Sequence, residues 1–195
     1  MSEPIMRVGI LGCGRVCDHY IDKILKKDKI KGLFKVIACC DVDIEKSNRV
    51  ATLLDCKSFQ DIKKFLNNSD MDMVLILTKS GQHYEHAKIC IENNFNVLVE
   101  KPLALRVEHA NDLLKISEDK NKFCCSVFQN RLNPAVIVVK EAFQNNRFGK
   151  IVSVSVRLRW CRLQDYYDDG WHGTWSQDGG VTNQQAIHHV DALTW

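Results

Sequence analysis

A glycine-rich segment near the start of the chain has the residue types that bind a dinucleotide phosphate. The sequence GCGRV at 12–16 follows an apolar run, Ile5–Leu11, that is typical of a strand. Gly12 permits a tight turn into a following helix, and Gly14 leaves room for a pyrophosphate at the helix N-terminus. Cys17, a small residue, stands where the third glycine of this fingerprint is usual. The predicted cofactor contacts in this segment are Gly12, Cys13, Gly14, Arg15 and Val16.

An acidic residue, Asp41, follows the second apolar run, Phe34–Cys40. In a dinucleotide-binding fold, a carboxylate at this position accepts hydrogen bonds from both ribose hydroxyls. The next residues are Val42 and Asp43 rather than Arg or Lys, so a 2′-phosphate would meet two carboxylates. This pattern favours NAD over NADP. The alternative is a glycine turn and a solvated acid in a flavodoxin-like sheet.

A lysine, Lys101, lies between Glu100 and Pro102, where the apolar run 96–100 ends. In an open parallel sheet this carboxyl edge faces the ligand crevice, so Lys101 would lie beside a bound cofactor. An amine there can polarise a substrate hydroxyl or help to remove its proton. Taken alone, the pattern is equally typical of an exposed loop lysine that has no catalytic role.

Two adjacent histidines lie on a predicted helix within the segment 178–193. Gln184 and His188 are four residues apart and would share one helix face, whereas His189 would point about 100° away. Imidazole titrates near neutral pH and can take a proton during alcohol oxidation. A single helical histidine is, however, more often structural.

Strand-like and helix-like stretches alternate through residues 1–130, which predicts an α/β fold: a Rossmann domain with a doubly wound parallel sheet. At Ile151–Trp160 the pattern changes to strict alternation of apolar and polar residues, which predicts a long half-buried strand of an antiparallel sheet. Residues 131–195 are therefore expected to form the truncated start of a second, α+β domain with an open antiparallel sheet.

The composition excludes several classes of protein. The chain has 195 residues, of which 45% are hydrophobic, and its 27 basic and 24 acidic residues are spread along the sequence. This excludes fibrous and low-complexity proteins and gives no basic patch for nucleic acid or membrane. The apolar runs are too short to span a bilayer and no secretory signal pattern is present, so we expect a cytoplasmic protein. The nine cysteines lack metal-ligand spacing and are expected to be reduced, with no metal site.

The order of these motifs resembles the glucose–fructose oxidoreductase / inositol dehydrogenase (Gfo/Idh/MocA) family of NAD(P)-dependent oxidoreductases. The resemblance covers the whole chain, from GILGCGRVC through NVLVEKPLAL to DGG with NQQAIHHVD. Within the family, the segments KPLALRVEHA, FQNRLNPAV, RFGKI and WHGTW are most similar to the UDP-N-acetyl-2-amino-2-deoxyglucuronate 3-dehydrogenases.

The resemblance implies a role for individual residues. Lys101 would be the catalytic lysine, and His188 the histidine that handles the substrate proton. The nicotinamide half of the cofactor would be lined by Thr78, Ser80, His83, Glu100 and Lys101. The substrate would contact Lys101, Asn130, Arg131, Gln184 and His188. Many members carry Asp four residues before the helical histidine, whereas this chain has Gln184, which cannot relay a proton.

Together these features predict an NAD-dependent sugar dehydrogenase of surface-polysaccharide biosynthesis. The expected reaction oxidises a secondary hydroxyl, at C3 of a UDP-linked 2-acetamido-2-deoxyglucuronic acid. Charged and stacking partners for such a substrate are offered by Arg157, Arg159 and Arg162 with Tyr166 and Tyr167. Alternatively, these arginines belong to a polar sheet face or a subunit interface. The alternatives are a dehydrogenase of a free polyol or hexose such as inositol, and a truncated NAD-binding protein without catalysis. We expect a homo-oligomer with no nucleic-acid or membrane partner.

Overall fold

The computed structural model describes residues 5–25, 32–67 and 70–195, which divide into two compact units, up to Ser126 and from Val127 onward. The boundary between the units lies a few residues before the one expected at 130/131. Among the described residues, no helix is long and apolar enough to cross a membrane.

The first unit alternates strands and helices along the chain. Its strands are β1 (Met6–Leu11), β2 (Phe34–Cys40), β3 (Lys57–Phe59), β4 (Met73–Ile76), β5 (Asn96–Val99) and β6 (Cys124–Ser126). Its α-helices are α1 (Arg15–Tyr20), continued by a π-helical turn (Ile21–Leu25), α2 (Ile44–Leu54), α3 (Ile62–Leu66), α4 (His83–Glu92) and α5 (Val107–Asp119). The strands form one parallel sheet in the order β3-β2-β1-β4-β5-β6. This is the doubly wound Rossmann order, so the predicted α/β fold is confirmed.

The sheet has an apolar cluster on each face, because helices cover both faces and the strands are almost continuously apolar. Successive residues of β1 alternate between the clusters: Ile10 packs in the one that contains Cys17 of α1, and Leu11 in the one that contains Ala87 of α4. In the register of β1, β4 and β5, Leu11 pairs with Ile76, and Ile76 with Val99. The segments that follow these three strands therefore leave the sheet at the same edge.

The cysteines are all free thiols, and most of those in the first unit lie in its core. Burial raises the pKa of the Cys40 and Cys90 thiols to about 12 each, so both are protonated at neutral pH and pack as small apolar side chains. Among the described residues, no group of His, Cys, Asp or Glu side chains is arranged to hold a metal ion.

The second unit contains three α-helices within its described residues, α6 (Pro134–Gln144), α7 (Gly180–Gln184) and α8 (Ile187–Thr194), with short 3-10 turns at Gln129–Leu132 and Gln164–Tyr166. The strand expected at 151–160 is not formed. Its apolar side chains are exposed, Val152 to 90% and Val154 to 61%. A strand needs a hydrogen-bonded neighbour to be stable, and the described part of this unit contains no strand that could pair with it.

The expected single helix around the tandem histidines is interrupted. Helix α7 ends at Gln184 and α8 begins at Ile187. The N–H groups of Gln185 and Ala186 both donate to the Val181 carbonyl, at 3.0 and 2.8 Å, which closes α7 with a wider turn. Gln184 and His188 therefore lie on two helices rather than on one, and both side chains are buried.

Candidate active site

The turn between β1 and α1 requires glycine at its first position. Gly12 has a φ of +101°, and a Cβ there would lie 2.7 Å from the carbonyl carbon of Leu77. The Gly12 N–H donates to the Cys40 carbonyl at 2.8 Å, which holds the turn against the end of β2. At Gly14, in contrast, a Cβ would meet nothing within 4 Å. The backbone is thus open where a pyrophosphate is expected to approach, and this open position fits a dinucleotide.

The carboxylate of Asp41 is fixed by two backbone N–H groups. Cys13 donates to Oδ2 at 2.7 Å and Asp43 donates to Oδ1 at 2.9 Å. A carboxylate has about four acceptor positions, so each oxygen retains a lone pair for a further donor. The half-buried Asp41 therefore holds the glycine turn and keeps the capacity to bind ribose hydroxyls.

An arginine that the sequence interpretation missed also contacts the glycine turn. The Arg49 guanidinium on α2 lies 2.6 Å from the Asp18 carboxylate of α1 and donates to the Cys13 carbonyl at 3.2 Å. Arg49 lies on an ordinary amphipathic helix, and no local pattern indicates that it reaches the first helix. Arg15 and Val16, predicted as cofactor contacts, are exposed at the start of α1.

The segment that carries Lys101 is held through Glu100. One Glu100 oxygen accepts from the Tyr20 hydroxyl at 2.8 Å, and the other accepts from the Lys101 N–H at 2.9 Å. Burial and the Glu100 charge raise the pKa of Tyr20, so its hydroxyl stays a donor at neutral pH. The peptide bond between Lys101 and Pro102 is cis. Glu100 thus links α1 to the loop after β5, a contact that the sequence interpretation did not include.

The loop after β4 carries the other residues expected beside the nicotinamide. The Thr78 hydroxyl lies 2.9 Å from His86 Nδ1, and Ser80 is buried. The His83 ring is 1% exposed and lies between two backbone carbonyls, those of Thr78 and Pro102. The polar atoms of the His83 ring are thus occupied by the protein itself, while its expected contact with the cofactor stays a prediction.

In the second unit, the helix that carries His188 is joined to the turn that carries Asn130 and Arg131. Arg131 donates to both carboxylate oxygens of Asp191, at 2.8 and 2.6 Å, and Asp191 is 9% exposed. The Phe128 and His188 rings make a T-shaped contact, with 6.3 Å between their centroids. Arg131, expected at the substrate, therefore also holds α8 through the residue one turn after His188.

A cavity of about 320 Å³ lies elsewhere in the second unit. Its lining includes Trp160, Arg162 and the buried Asp178. The Arg162 guanidinium lies over the Trp160 ring at 4.2 Å and over the Tyr166 ring at 5.2 Å. Of the charged and aromatic residues expected at the substrate, Arg162 and Tyr166 are thus in contact, whereas Arg157 and Arg159 are exposed.

A Rossmann sheet with a glycine turn after β1, an acid after β2 and a lysine after β5 is the arrangement of a dinucleotide-binding protein. Comparison with known proteins identifies which kind. Residues 6–128 match the GFO/IDH/MocA oxidoreductase family, NAD-binding Rossmann fold, and residues 136–195 match the GFO/IDH/MocA C-terminal domain. The chain belongs to this family, and its first unit is an NAD-binding domain.

The relatives include dehydrogenases of nucleotide sugars and of cyclic polyols. The chain is 33% identical, with a TM-score of 0.94 over its whole length and 56% of the other chain, to the WlbA dehydrogenase of Chromobacterium violaceum, solved in complex with NADH and UDP-GlcNAcA. It is 25% identical over 70% of its length, and 41% of the relative, to UDP-N-acetylglucosamine 3-dehydrogenase of Acidithiobacillus ferrooxidans. It is 24% identical over 97% of its length, and 52% of the relative, to inositol 2-dehydrogenase/D-chiro-inositol 3-dehydrogenase of Halalkalibacterium halodurans. The chain thus spans about half the length of these relatives.

Proposed function

We propose that this chain is part of an NAD-dependent dehydrogenase that oxidises the C3 hydroxyl of a UDP-linked 2-acetamido-2-deoxyglucuronic acid in surface-polysaccharide biosynthesis. The observation that carries the proposal is the whole-chain similarity to a dehydrogenase that binds NADH and UDP-GlcNAcA. The cationic and aromatic groups around Arg162 support an anionic, nucleotide-linked substrate. We place the reaction in the cytoplasm, where free cysteines such as the nine of this chain persist.

In this proposal, Lys101 and His188 share the acid–base chemistry. The Lys101 amine polarises the substrate hydroxyl, and the His188 imidazole takes its proton. NAD, when bound, accepts the hydride from the same carbon. Gly12, Gly14 and Asp41 bind the cofactor and orient it, whereas Asn130 and Arg131 contact the sugar. Gln184 cannot relay a proton, so Lys101 and His188 act without the aspartate that many members have.

A free polyol or hexose is the second candidate substrate, and it is favoured by the similarity to the inositol dehydrogenase. An NAD-binding protein without catalysis is the candidate of another class. Turnover separates the three: activity with the UDP-linked uronic acid supports the first, activity with inositol alone supports the second, and NADH binding without turnover supports the third.

Replacement of the two proposed catalytic residues in the full protein tests the mechanism. Lys101→Ala and His188→Ala are each expected to lower kcat by about 10²–10⁴-fold, because each removes a positioned acid–base group. The affinity for NADH should stay within a few-fold of the parent, since Gly12, Gly14 and Asp41 are unchanged. The double variant should be little worse than either single variant, because the two residues act as a unit.

Matched controls separate these roles from general effects of losing a lysine or a histidine. Lys120→Ala removes an exposed amine at the end of α5, and His189→Ala removes the histidine next to His188. Both controls are expected to keep most of the parent activity. If Lys101→Ala and His188→Ala also keep most of it, the proton path runs through other residues.

We further propose that the full protein is a homo-oligomer. The exposed apolar side chains of Val152, Val154 and Val156 need a partner surface, which the rest of the full protein or a second copy can supply.

A further inference from the structure

The His83 ring lies in a position where it can hold the loop that carries Lys101. His83 begins α4, and its ring is 1% exposed. Its Nδ1 is 2.6 Å from the carbonyl oxygen of Pro102, the residue that follows Lys101, and its Nε2 is 3.0 Å from the carbonyl oxygen of Thr78. One imidazole thus bridges the loop after β4 and the loop after β5.

The two carbonyl groups compete for one ring proton. Burial lowers the pKa of His83, so the ring is neutral at neutral pH and carries a single N–H. The charged groups that face it are Glu100, which raises the pKa, and Lys101, which lowers it. The shorter contact is at Nδ1, and on this ground we assign the single ring proton to that nitrogen. The hydrogen bond that holds the loop is therefore the one from Nδ1–H to the Pro102 carbonyl oxygen.

The backbone on the Glu100 side of Lys101 is also held by hydrogen bonds. Its N–H donates to Glu100, which the Tyr20 hydroxyl holds in turn. The Pro102 carbonyl has the His83 ring as its partner on the opposite side of the lysine. Loss of the ring bond would therefore release an anchor on the Pro102 side of the Lys101 backbone.

We propose that His83 is a positioning residue for Lys101, acting through one Nδ1–H bond to the Pro102 carbonyl. This rests on the proposed catalytic role of Lys101 and gives the His83 ring a task distinct from cofactor contact. The bond can be tested in the parent protein by NMR of the His83 ring, and in variants by its effect on turnover.

Two conservative variants separate the two ring contacts. In His83→Asn the amide N–H₂ lies near the position of Nδ1, whereas in His83→Gln it lies near that of Nε2. We expect His83→Asn to keep kcat within about threefold of the parent and His83→Gln to lower it by about 10- to 100-fold, because a small displacement of a catalytic group has an effect of this size. The NADH affinity should stay within a few-fold in both. The pH profile of kcat should shift in His83→Gln only, and His109→Asn, which replaces a histidine that stacks on Tyr84, should match the parent.

Each other outcome overturns the proposal. If both variants keep kcat, or both lose it, a single bond to Pro102 does not position Lys101. If His83→Gln is active and His83→Asn is not, the anchor is Thr78. If both variants lose NADH affinity with kcat, the ring contacts the cofactor instead.

The tautomer in the parent protein decides the question if neither variant folds. ¹⁵N NMR of the labelled ring should show the proton on Nδ1, and a proton on Nε2 would overturn the proposal. A Lys101→Ala variant that keeps its turnover would remove the proposed function, whereas the NMR result would still decide which carbonyl His83 binds.

Discussion

The preference of the NAD-binding domain for NAD over NADP should depend on Asp41. Both Asp41 oxygens already accept backbone N–H bonds, from Cys13 and from Asp43, so the carboxylate cannot easily turn away from a bound ribose. One nearby cation, Arg49, is bound to Asp18 and to the Cys13 carbonyl. A 2′-phosphate would therefore meet a fixed negative charge.

The size of the effect follows from the charge and the burial of Asp41. Two unit charges about 4 Å apart interact by about 1 kcal/mol in water and by about 4 kcal/mol at the effective dielectric constant near a protein surface. Asp41 is half-buried, so a repulsion of about 2–3 kcal/mol is expected. This corresponds to a preference of about 30- to 150-fold. Asp41→Ala should remove most of this ratio and should also weaken NADH binding about tenfold or more, because charged acceptors for the ribose hydroxyls are lost.

Fluorescence titration with NADH and NADPH measures both the NADH affinity and the ratio of the two dissociation constants. Asp43→Asn is the matched control: it removes a neighbouring charge and keeps an oxygen that caps α2, so NADH affinity should be unchanged and the ratio should change only slightly. The reasoning is refuted if the parent binds NADPH as tightly as NADH, or if Asp41→Ala leaves the ratio of the two dissociation constants as it was.

Two further predictions concern the second unit. Arg131→Lys should lower the free energy of unfolding, measured by urea denaturation, by about 1–3 kcal/mol. The reason is that a lysine cannot make the bidentate contact with the buried Asp191. Asp191→Asn should have a similar effect, and unchanged stability in both variants would contradict the pairing. The isolated 195-residue chain should self-associate as its concentration rises, since Val152 and Val154 are exposed. Sedimentation velocity should show less association after Val152→Lys with Val154→Lys, and a monomeric parent at all concentrations would contradict this prediction.

The fold of the first unit could be predicted because its signals are local. A parallel sheet buried on both faces needs nearly continuous apolar strands, and Met73–Ile76 is visible as such a run. The glycine turn and Asp41 are equally visible, since a glycine pattern after a strand and an acid at the end of the next strand are read from a few neighbouring residues. The strand predicted at 151–160 is not formed. A strand also needs a partner strand, and the local alternation of apolar and polar residues does not show whether one is present.

The supporting contacts of the candidate site could not be predicted, because they join residues that are distant along the chain. Tyr20 and Glu100 are 80 positions apart, and Arg131 and Asp191 are 60 apart. The sequence indicates that each side chain is polar or charged, but pairing depends on how the sheet and helices bring their ends together.

These distant contacts also change the meaning of the residues that the sequence did indicate. A lysine in a loop has a long, flexible side chain, so position after a strand does not by itself orient its amine. Two contacts hold the Lys101 backbone in place: Glu100 accepts its N–H, and the His83 ring lies against the Pro102 carbonyl. His188, in the second unit, depends in the same way on the Arg131 contact with its own helix. Residue type and spacing thus indicate which groups can transfer a proton, and the buried pairs behind them determine whether those groups are held in place to do so.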